Sequence, residues 1–364
     1  MIELEVNGAP YADFISASVT LALDTLANDF TFVATAVKGF PPFKDGDRVT
    51  VTVDEEQVLE GFIDGVEGEE SDGSHLISYS GRDKTQDLID SDIDVIPDIR
   101  ADGDLTLKRL IEIVIEHIGA DIQVVDTLEP DPFNAAEDIA APKVGENALE
   151  FIMFYATKRQ AILTSDGDGN IVITQSSPIN SEQILQSVDG WDNNIITQSW
   201  VVASRNKFNR YIAKGQLDPV ALNLTPSPDI AEVQSQGNEV TDEDVRAGRQ
   251  RVITEKKGYS SEQLANRAKW SKQLAKAKAT RFSCVVKGHS KGDGGIWIPN
   301  ELAYVISQAA DIQRAMLINS LTFTESEGQR TATALNLVER DVYTINEKIL
   351  SQKPTGEQND AFTN

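Results

Sequence analysis

The 364-residue sequence contains one cysteine, Cys284, and three histidines. A single thiol closes no internal disulfide, and so few imidazole and thiolate donors leave little material for a transition-metal centre. Long apolar runs are also missing. Residues 110–118, among the most apolar, include Glu112, Glu116 and His117, and nothing approaches the ~20 apolar residues that span a bilayer. Basic residues are scarce: 33 Lys and Arg stand against 58 Asp and Glu, a formal net charge of −25. Such a chain repels a phosphate backbone, which argues against tight binding of duplex DNA over a broad surface. The start, Met1-Ile2-Glu3-Leu4-Glu5-Val6, lacks the basic and apolar regions of a secretory signal. It reads as a first strand, and synthesis in the cytoplasm is the expectation.

What is present is a globular composition, 40% hydrophobic and 25% charged, at a length that suits two or three domains. Up to about Asp83 short alternating segments are divided by turn residues, as in Val49-Thr50-Val51-Thr52-Val53 after Asp45-Gly46-Asp47. This predicts a small antiparallel β-domain, a barrel by preference because closure hides sheet edges. The period then becomes helical. Leu107, Leu110, Ile111, Val114, Ile115 and Ile118 share one helix face, with Gly119 placed for a C-terminal cap. A second helix, with Leu149, Ile152, Met153 and Ala156 on one face, runs into a hairpin formed by Ala161-Ile162-Leu163-Thr164 and Ile171-Val172-Ile173-Thr174. Two more strands are expected at 195–202 and 208–214, then an exposed insertion over about 217–250. Ser260-x-x-Gln263 has capping-box form and opens a helix reaching about Thr280. Strands return over 281–342.

The late strands repeat the early ones in outline. Val37-Lys38-Gly39 is matched by Val286-Lys287-Gly288, and the strand Val49 to Val53 by Leu302 to Ile306. Ile63-Asp64-Gly65-Val66 with a turn at Asp72-Gly73 is matched, at identical spacing, by Ile318-Asn319-Ser320-Leu321 with a turn at Glu327-Gly328. Each set closes on Arg-Asp, at Arg82-Asp83 and Arg340-Asp341. The ordered set predicts two copies of one β-domain. The fold class is therefore α+β, predominantly β: two similar small antiparallel β-barrels, an α+β middle domain and a peripheral helical insertion. The domains fall at 1–85 for the first β-barrel, 86–187 for the middle domain, 188–216 with 281–345 for the second β-barrel, 217–280 for the insertion and 346–364 for a polar tail.

Several motifs carry chemistry only as letters. Gly288-His289-Ser290-Lys291-Gly292 matches the G-x-S-x-G elbow, but Asp293-Gly294-Gly295 and a strand follow where a helix is required, and no histidine lies further on. Asp166-Gly167-Asp168-Gly169-Asn170 begins like a calcium loop, yet Ile171 stands where glycine is needed and Ser177 where a bidentate glutamate is needed. It reads as a hairpin turn. Carboxylate pairs suited to a glycosidase are uninformative among so many acids. His75 and His117 fit surface or capping roles. Arg267, Lys269, Lys272, Lys276, Lys278 and Arg281 concentrate positive charge on one helix, with Trp270 alone as an aromatic. Lacking a stacking platform, that helix reads as a solvated face or a salt-bridged contact with an acidic neighbouring subunit. No catalytic, cofactor-binding or metal-binding residues are assigned, and no cofactor is expected.

One stretch is more specific. Ser80-Gly81-Arg82-Asp83-Lys84-Thr85-Gln86-Asp87-Leu88-Ile89-Asp90 resembles the baseplate hub protein of Mu-like contractile-tailed phages. Supporting patches are Tyr211-Ile212-Ala213-Lys214-Gly215, Gly294-Gly295-Ile296-Trp297-Ile298-Pro299-Asn300 and the helix-hairpin unit over 146–175. The likeness runs over about 2–342 in outline; the acidic segments around 129–138 and the tail from 347 on have no counterpart. The resemblance implies a structural, non-enzymatic homotrimer in which each subunit supplies two similar tube domains, so that three subunits present a pseudo-sixfold ring to a hexameric tail tube. It implies partners in the tail tube protein, the central membrane-piercing spike protein and other baseplate proteins, and a kinship with type VI secretion spike proteins. DNA would pass through without specific binding, past an acidic lining, and the protein would reside in the virion after assembly in the host cytoplasm, with no stable membrane insertion. Leu302, Tyr304 and Ile306, opposite Ala303 and Val305, are candidate subunit contacts. The alternatives are a tail-associated peptidoglycan hydrolase and a glycan- or receptor-binding tail module, although aromatics are only 7% of residues and the four tryptophans are dispersed.

Overall fold

The computed structural model describes residues 1–35, 42–71, 74–96, 99, 105–133, 141–176, 179–215, 239–255, 261–292, 294–340 and 342. Val37-Lys38-Gly39, the turn at Asp72-Gly73, Ser260, Asp341, most of the expected 217–250 insertion and the polar tail lie outside them. Seven strands come first: β1 (Ile2–Val6), β2 (Ala9–Tyr11), β3 (Phe14–Ala22), β4 (Asp29–Thr35), β5 (Arg48–Val53), β6 (Glu56–Ser71) and β7 (Ser74–Asp83). A mixed segment follows, with α1 (Gln86–Asp90), β8 (Asp92–Ile93), α2 (Leu107–Ile118), β9 (Val124–Asp126), β10 (Glu146–Asn147), α3 (Ala148–Lys158), β11 (Ile162–Ser165) and β12 (Ile171–Thr174). Then come β13 (Ile179–Ser187), β14 (Ile195–Val202), β15 (Arg210–Gly215), β16 (Glu239–Thr241), β17 (Gln250–Glu255) and α4 (Ser261–Ala279). The described part closes with β18 (Thr280–Lys287), β19 (Glu301–Ser307), β20 (Ile312–Ser326) and β21 (Ala332–Glu339).

The fold is mostly β, as its alternating segments predict, but the strands of the two β-domains merge. Thirteen of them share one sheet, in the order β14-β18-β21-β20-β3-β4-β7-β6-β5-β1-β2, with β19 on β20 and β13 on β19. Among the described residues this sheet does not close, so the expected pair of barrels gives way to one open sheet. The alternation that buries one face of each strand is the same in either arrangement, which is why it does not tell them apart.

The duplication is explicit in the topology. In the first half the neighbours run β3, β4, β7, β6, β5; in the second they run β14, β18, β21, β20, β19. The long strands β6 and β20 are bulged at the same place, between Ile63 and Gly65 against β7 and between Ile318 and Ser320 against β21. A bulge turns the strand and costs one residue of register, so its shared position aligns the copies. Ile63 faces Gly81 and Ile318 faces Leu337. Arg82 therefore corresponds to Val338 and Asp83 to Glu339; the second Arg-Asp lies two residues beyond the equivalent position. The outermost strands differ in direction, since β1 is antiparallel to β5 whereas β13 is parallel to β19.

The middle unit is built as its helical period predicts. Thr106 caps α2 by accepting from the Arg109 backbone amide, and Gly119 ends it at φ 75°. On α3 the buried apolar and aromatic residues are Ala148, Phe151, Ile152, Tyr155 and Ala156, while Met153 is exposed. The expected face is thus rotated toward the aromatics, where Tyr155 packs edge to face with both Phe133 and Phe151. The strand expected at 208–214 does not join the large sheet. It is β15, lying between β16 and β17 in a separate three-stranded sheet, because its buried Tyr211 and Ala213 pack on Leu264, Ala268 and Ala275 of α4. Among the described residues no helix is long and apolar enough to cross a membrane.

Candidate functional site

The surface that organises this molecule is a set of strand edges. Inside the chain, the first half is joined to the second where β3 pairs with the distal part of β20 over seven residue pairs, from Ala22 opposite Ser320 to Ser16 opposite Ser326. Leu21 and Val19 meet Leu321 and Phe323 on the buried face, and Thr20 and Thr322 share a hydrogen bond of 3.2 Å on the other. Further bonds cross the joint: the Ile2 amide donates to Glu325 at 2.6 Å, Ser290 Oγ donates to Asp54, and the Leu23 amide donates to the Asn319 carbonyl at 2.8 Å.

Among the described residues, two comparable edges have no strand beside them. One is the outer edge of β14, whose other side pairs with β18. Unlike the ordinary polar edge strand, β14 exposes Ile196, Trp200, Val201 and Val202, the last 78% accessible. The other is the distal half of β6. Its residues 56–62 are flanked by β5, but from Gly65 to Ser71 it is hydrogen-bonded on one side only, to β7. Of the contacts expected on β19, Leu302 is buried against the core that holds Trp270 and Val338, while Tyr304 is 39% exposed. Ala303 and Val305 are buried in the sheet core.

The run 80–90 holds the sheet to the middle unit. Arg82 Nε donates to Asp64 at 2.7 Å and its Nη2 to Asp90 at 2.6 Å, and these carboxylates hold the guanidinium pKa above its usual value. Asp83 is fully buried. Its carboxylate accepts from the Asn28 amide at 2.8 Å, from the Thr85 amide at 2.9 Å and hydroxyl at 2.5 Å, and from Ser165 Oγ. Burial pushes its pKa up despite these bonds. Ser165 lies on β11, Asn28 on the β3–β4 turn, so one buried carboxylate fastens three segments. Leu88 carries the run into the middle core.

The other motifs resolve into structure. His289 is buried with Nδ1 3.3 Å from Thr333 Oγ1 and its ring against Phe323; burial lowers its pKa. Ser290 bonds to Asp54, not to the histidine, so the G-x-S-x-G letters assemble no nucleophile and base. Asp166 accepts from the amides of Asp168 and Asn170, an ordinary hairpin turn whose tip docks on Gln57. The basic helix is neutralised partly within its own chain: Lys276 lies 3.8 Å from Asp244, and Lys272 Nζ donates to the Thr241 carbonyl at 2.8 Å. A cleft of about 310 Å³ lies between the sheet and the middle unit, and Glu56 and Asp166 are the acidic side chains among the residues lining it. Among the described residues no group of three or more potential ligands could hold a metal ion.

The geometry is therefore that of a duplicated sheet with open edges beside a helical unit, and no nucleophile–base pair or metal-ligand cluster is assembled among the described residues. Residues 1–83 match the N-terminal domain of the Mu phage baseplate assembly protein GpP-like family, and residues 260–345 match the fourth domain of the Mu phage baseplate assembly protein GpP. The baseplate hub protein gp44 of Escherichia phage Mu is 22% identical over 356 residues, covering 94% of this chain and 89% of that protein. The 43 kDa tail protein of prophage MuSo2 from Shewanella oneidensis superposes with a TM-score of 0.77 at 25% identity, over 95% of this chain and 99% of that one. A component of the E. coli type VI secretion system, described as similar in structure to the T4 phage tail proteins gp27 and gp5, shares the fold at a TM-score of 0.53 and 13% identity, over 94% of this chain and 79% of that one. The chain is thus similar over nearly its whole length to baseplate hub and tail proteins of Mu-like phages, with its two family-matched segments at the two ends of the described fold.

Proposed function

We propose that the chain is the non-enzymatic hub subunit of a contractile-tail baseplate, three copies of which form a ring joining the tail tube to the central spike and letting DNA pass. The carrying observation is the duplication: two equivalent β-domains already joined edge to edge within one chain, with one apolar strand edge left over at β14. Three such chains present six equivalent domains, which suits a sixfold tube. Head-to-tail contacts of this kind either close into a ring or run on as a filament.

The face of the large sheet turned away from its core supports the channel. Ser16, Ser18 and Thr20 on β3, Thr31 on β4, Ser78 and Ser80 on β7, and Thr322 and Thr324 on β20 line it in register. Hydroxyls and the nearby Glu67 and Glu69 offer phosphate no counterion release, so DNA is not retained. The lining is thus hydroxyl-rich first and acidic second. Tail tube, spike and other baseplate proteins are the partners of this ring, the virion tail is its location, and assembly takes place in the host cytoplasm without membrane insertion.

Light scattering on the purified chain over a concentration series and two salt levels tests the reading. A stable species near three times 39.8 kDa is expected. A monomer at every concentration overturns it.

A further inference from the structure

The internal joint is a template for the contact between copies. The shared bulge makes Val66 of β6 equivalent to Leu321 of β20, Glu67 to Thr322 and Gly68 to Phe323, because Val66 faces Tyr79 three residues after Ile63 as Leu321 faces Leu335 three residues after Ile318. On the other strand, Phe30 faces Gly81 as Phe282 faces Leu337, so Phe30 and Phe282 are equivalent. Val19 pairs with Phe30 and Trp200 with Phe282. Trp200 is thereby the counterpart of Val19, Val201 of Thr20 and Val202 of Leu21.

Within the chain Val19 lies opposite Phe323 and Leu21 opposite Leu321. We infer that β14 of one copy adds to the distal half of β6 of the next in this same register, placing Trp200 opposite Gly68, Val202 opposite Val66 and Val201 opposite Glu67. The side-chain sizes fit. The internal joint sets a large Phe323 against a smaller Val19; between copies the large partner has changed strands, and the indole meets a residue with no side chain. Gly68 has open space where a Cβ would stand, with no atom within 4 Å. Its neighbours across the fold, Gly61 and Gly81, are by contrast crowded by backbone at 1.9 and 2.1 Å, so Gly68 is not a glycine that its own domain requires. The match also explains the exposure of Trp200 and Val202. Both lie on the side of β14 that continues the core of β18, where Phe282 and Cys284 are buried, so an added strand extends that core over them. Each copy that donates β14 still offers its β6, so the contact propagates in one direction around the ring.

This inference rests on the ring proposed above and is tested apart from it. Trp200→Glu and Gly68→Leu alter sites with free space in the single chain, so both variants are expected to keep the native circular dichroism and a cooperative melt while weakening trimer formation at least ~30-fold, the size of an interface hot spot. Paired cysteines read the register. Neighbouring antiparallel pairs alternate between hydrogen-bonded and non-hydrogen-bonded sites, so Glu67→Cys with Val201→Cys and Val66→Cys with Val202→Cys sample both. On mild oxidation at least one pair is expected to link copies into covalent trimers, and Glu67→Cys with Thr197→Cys, four residues out of register, is not. A trimer that forms in both single variants and links in neither pair overturns this edge contact and leaves the ring standing. A chain that stays monomeric and unlinked at every concentration overturns both.

Discussion

The two β-domains are the same topological object filled differently. In the first, Phe32 stacks on Tyr79 at 4.7 Å, and Tyr11 and Phe43 complete an aromatic cluster. In the second, the equivalent positions are Cys284 and Leu335, and Phe282, Phe323 and Trp297 are spread through a core that is otherwise mainly aliphatic. The larger difference is at the edge. Val19 of β3 is 1% exposed because β20 covers it, while its counterpart Trp200 is 43% exposed. One copy has its edge closed by its sibling, and the other keeps the same edge open. The two copies thus diverge at one strand, where an apolar edge covered in the first is exposed in the second.

Placing a carboxylate at each of the two equivalent positions breaks this comparison most sharply. Val19→Asp buries an unpaired charge between β4 and β20 and should destabilise the chain by about 4 kcal/mol or more. Trp200→Asp sits at an open edge and should cost the monomer about 1 kcal/mol, mainly from lost partial packing. Urea unfolding at concentrations below assembly measures both. Equal losses would mean that β14 is covered within its own chain.

The two acids that end the equivalent hairpins give the next contrast. Asp83→Ala strands the amides of Asn28 and Thr85 and the Ser165 hydroxyl in a buried site, an expected loss of about 3 kcal/mol. Its counterpart Glu339 forms a surface pair with Arg314 at 2.8 Å, and Glu339→Ala should cost under about 1 kcal/mol. pH separates them further. Burial holds the Asp83 pKa above the ordinary 3.8 in the folded chain, so the fold favours its protonated form. Stability relative to Asp83→Asn is then greatest below the unfolded value and declines as pH rises through the folded one. Paired urea titrations from about pH 3.5 to 7 read the slope, and a difference that grows with pH would show that the four donated bonds outweigh burial.

Much of this was legible in the sequence because it is encoded locally. The period of 107–118 is realised as α2, and the glycine after it as its cap. The identical spacing of Ile63-Asp64-Gly65 and Ile318-Asn319-Ser320 marks the duplication because it encodes a bulge, a local event with a local pattern. The joint was not legible: β3 and β20 are paired across some three hundred residues of sequence, and each alternates as any half-buried strand does. The position of β15 was hidden for the same reason. The open edge did leave a trace. Trp200-Val201-Val202 is apolar on both faces of a strand, which a half-covered edge does not need and a contact surface does.

Cys284 allows the opening of the two copies to be compared directly. It is buried on β18, paired with Gln198 of the edge strand, and burial pushes its thiol up to about 12. Labelling by a thiol reagent therefore requires local opening, at a rate set by the free energy of that opening. Ala34 lies on β4, flanked by β3 and β7, and is 1% exposed. A thiol placed there by Ala34→Cys, with Cys284→Ala to remove the native one, reports on the first copy. Cys284 in the unsubstituted chain should label faster, by about tenfold if the cover that β20 gives β3 contributes about 1.4 kcal/mol to local stability. The proposed ring contact would cover β14, in which case the gap should shrink as protein concentration rises. Equal rates at every concentration would show that the free edge leaves the second copy no looser than the first, and that β14 is held by its own domain.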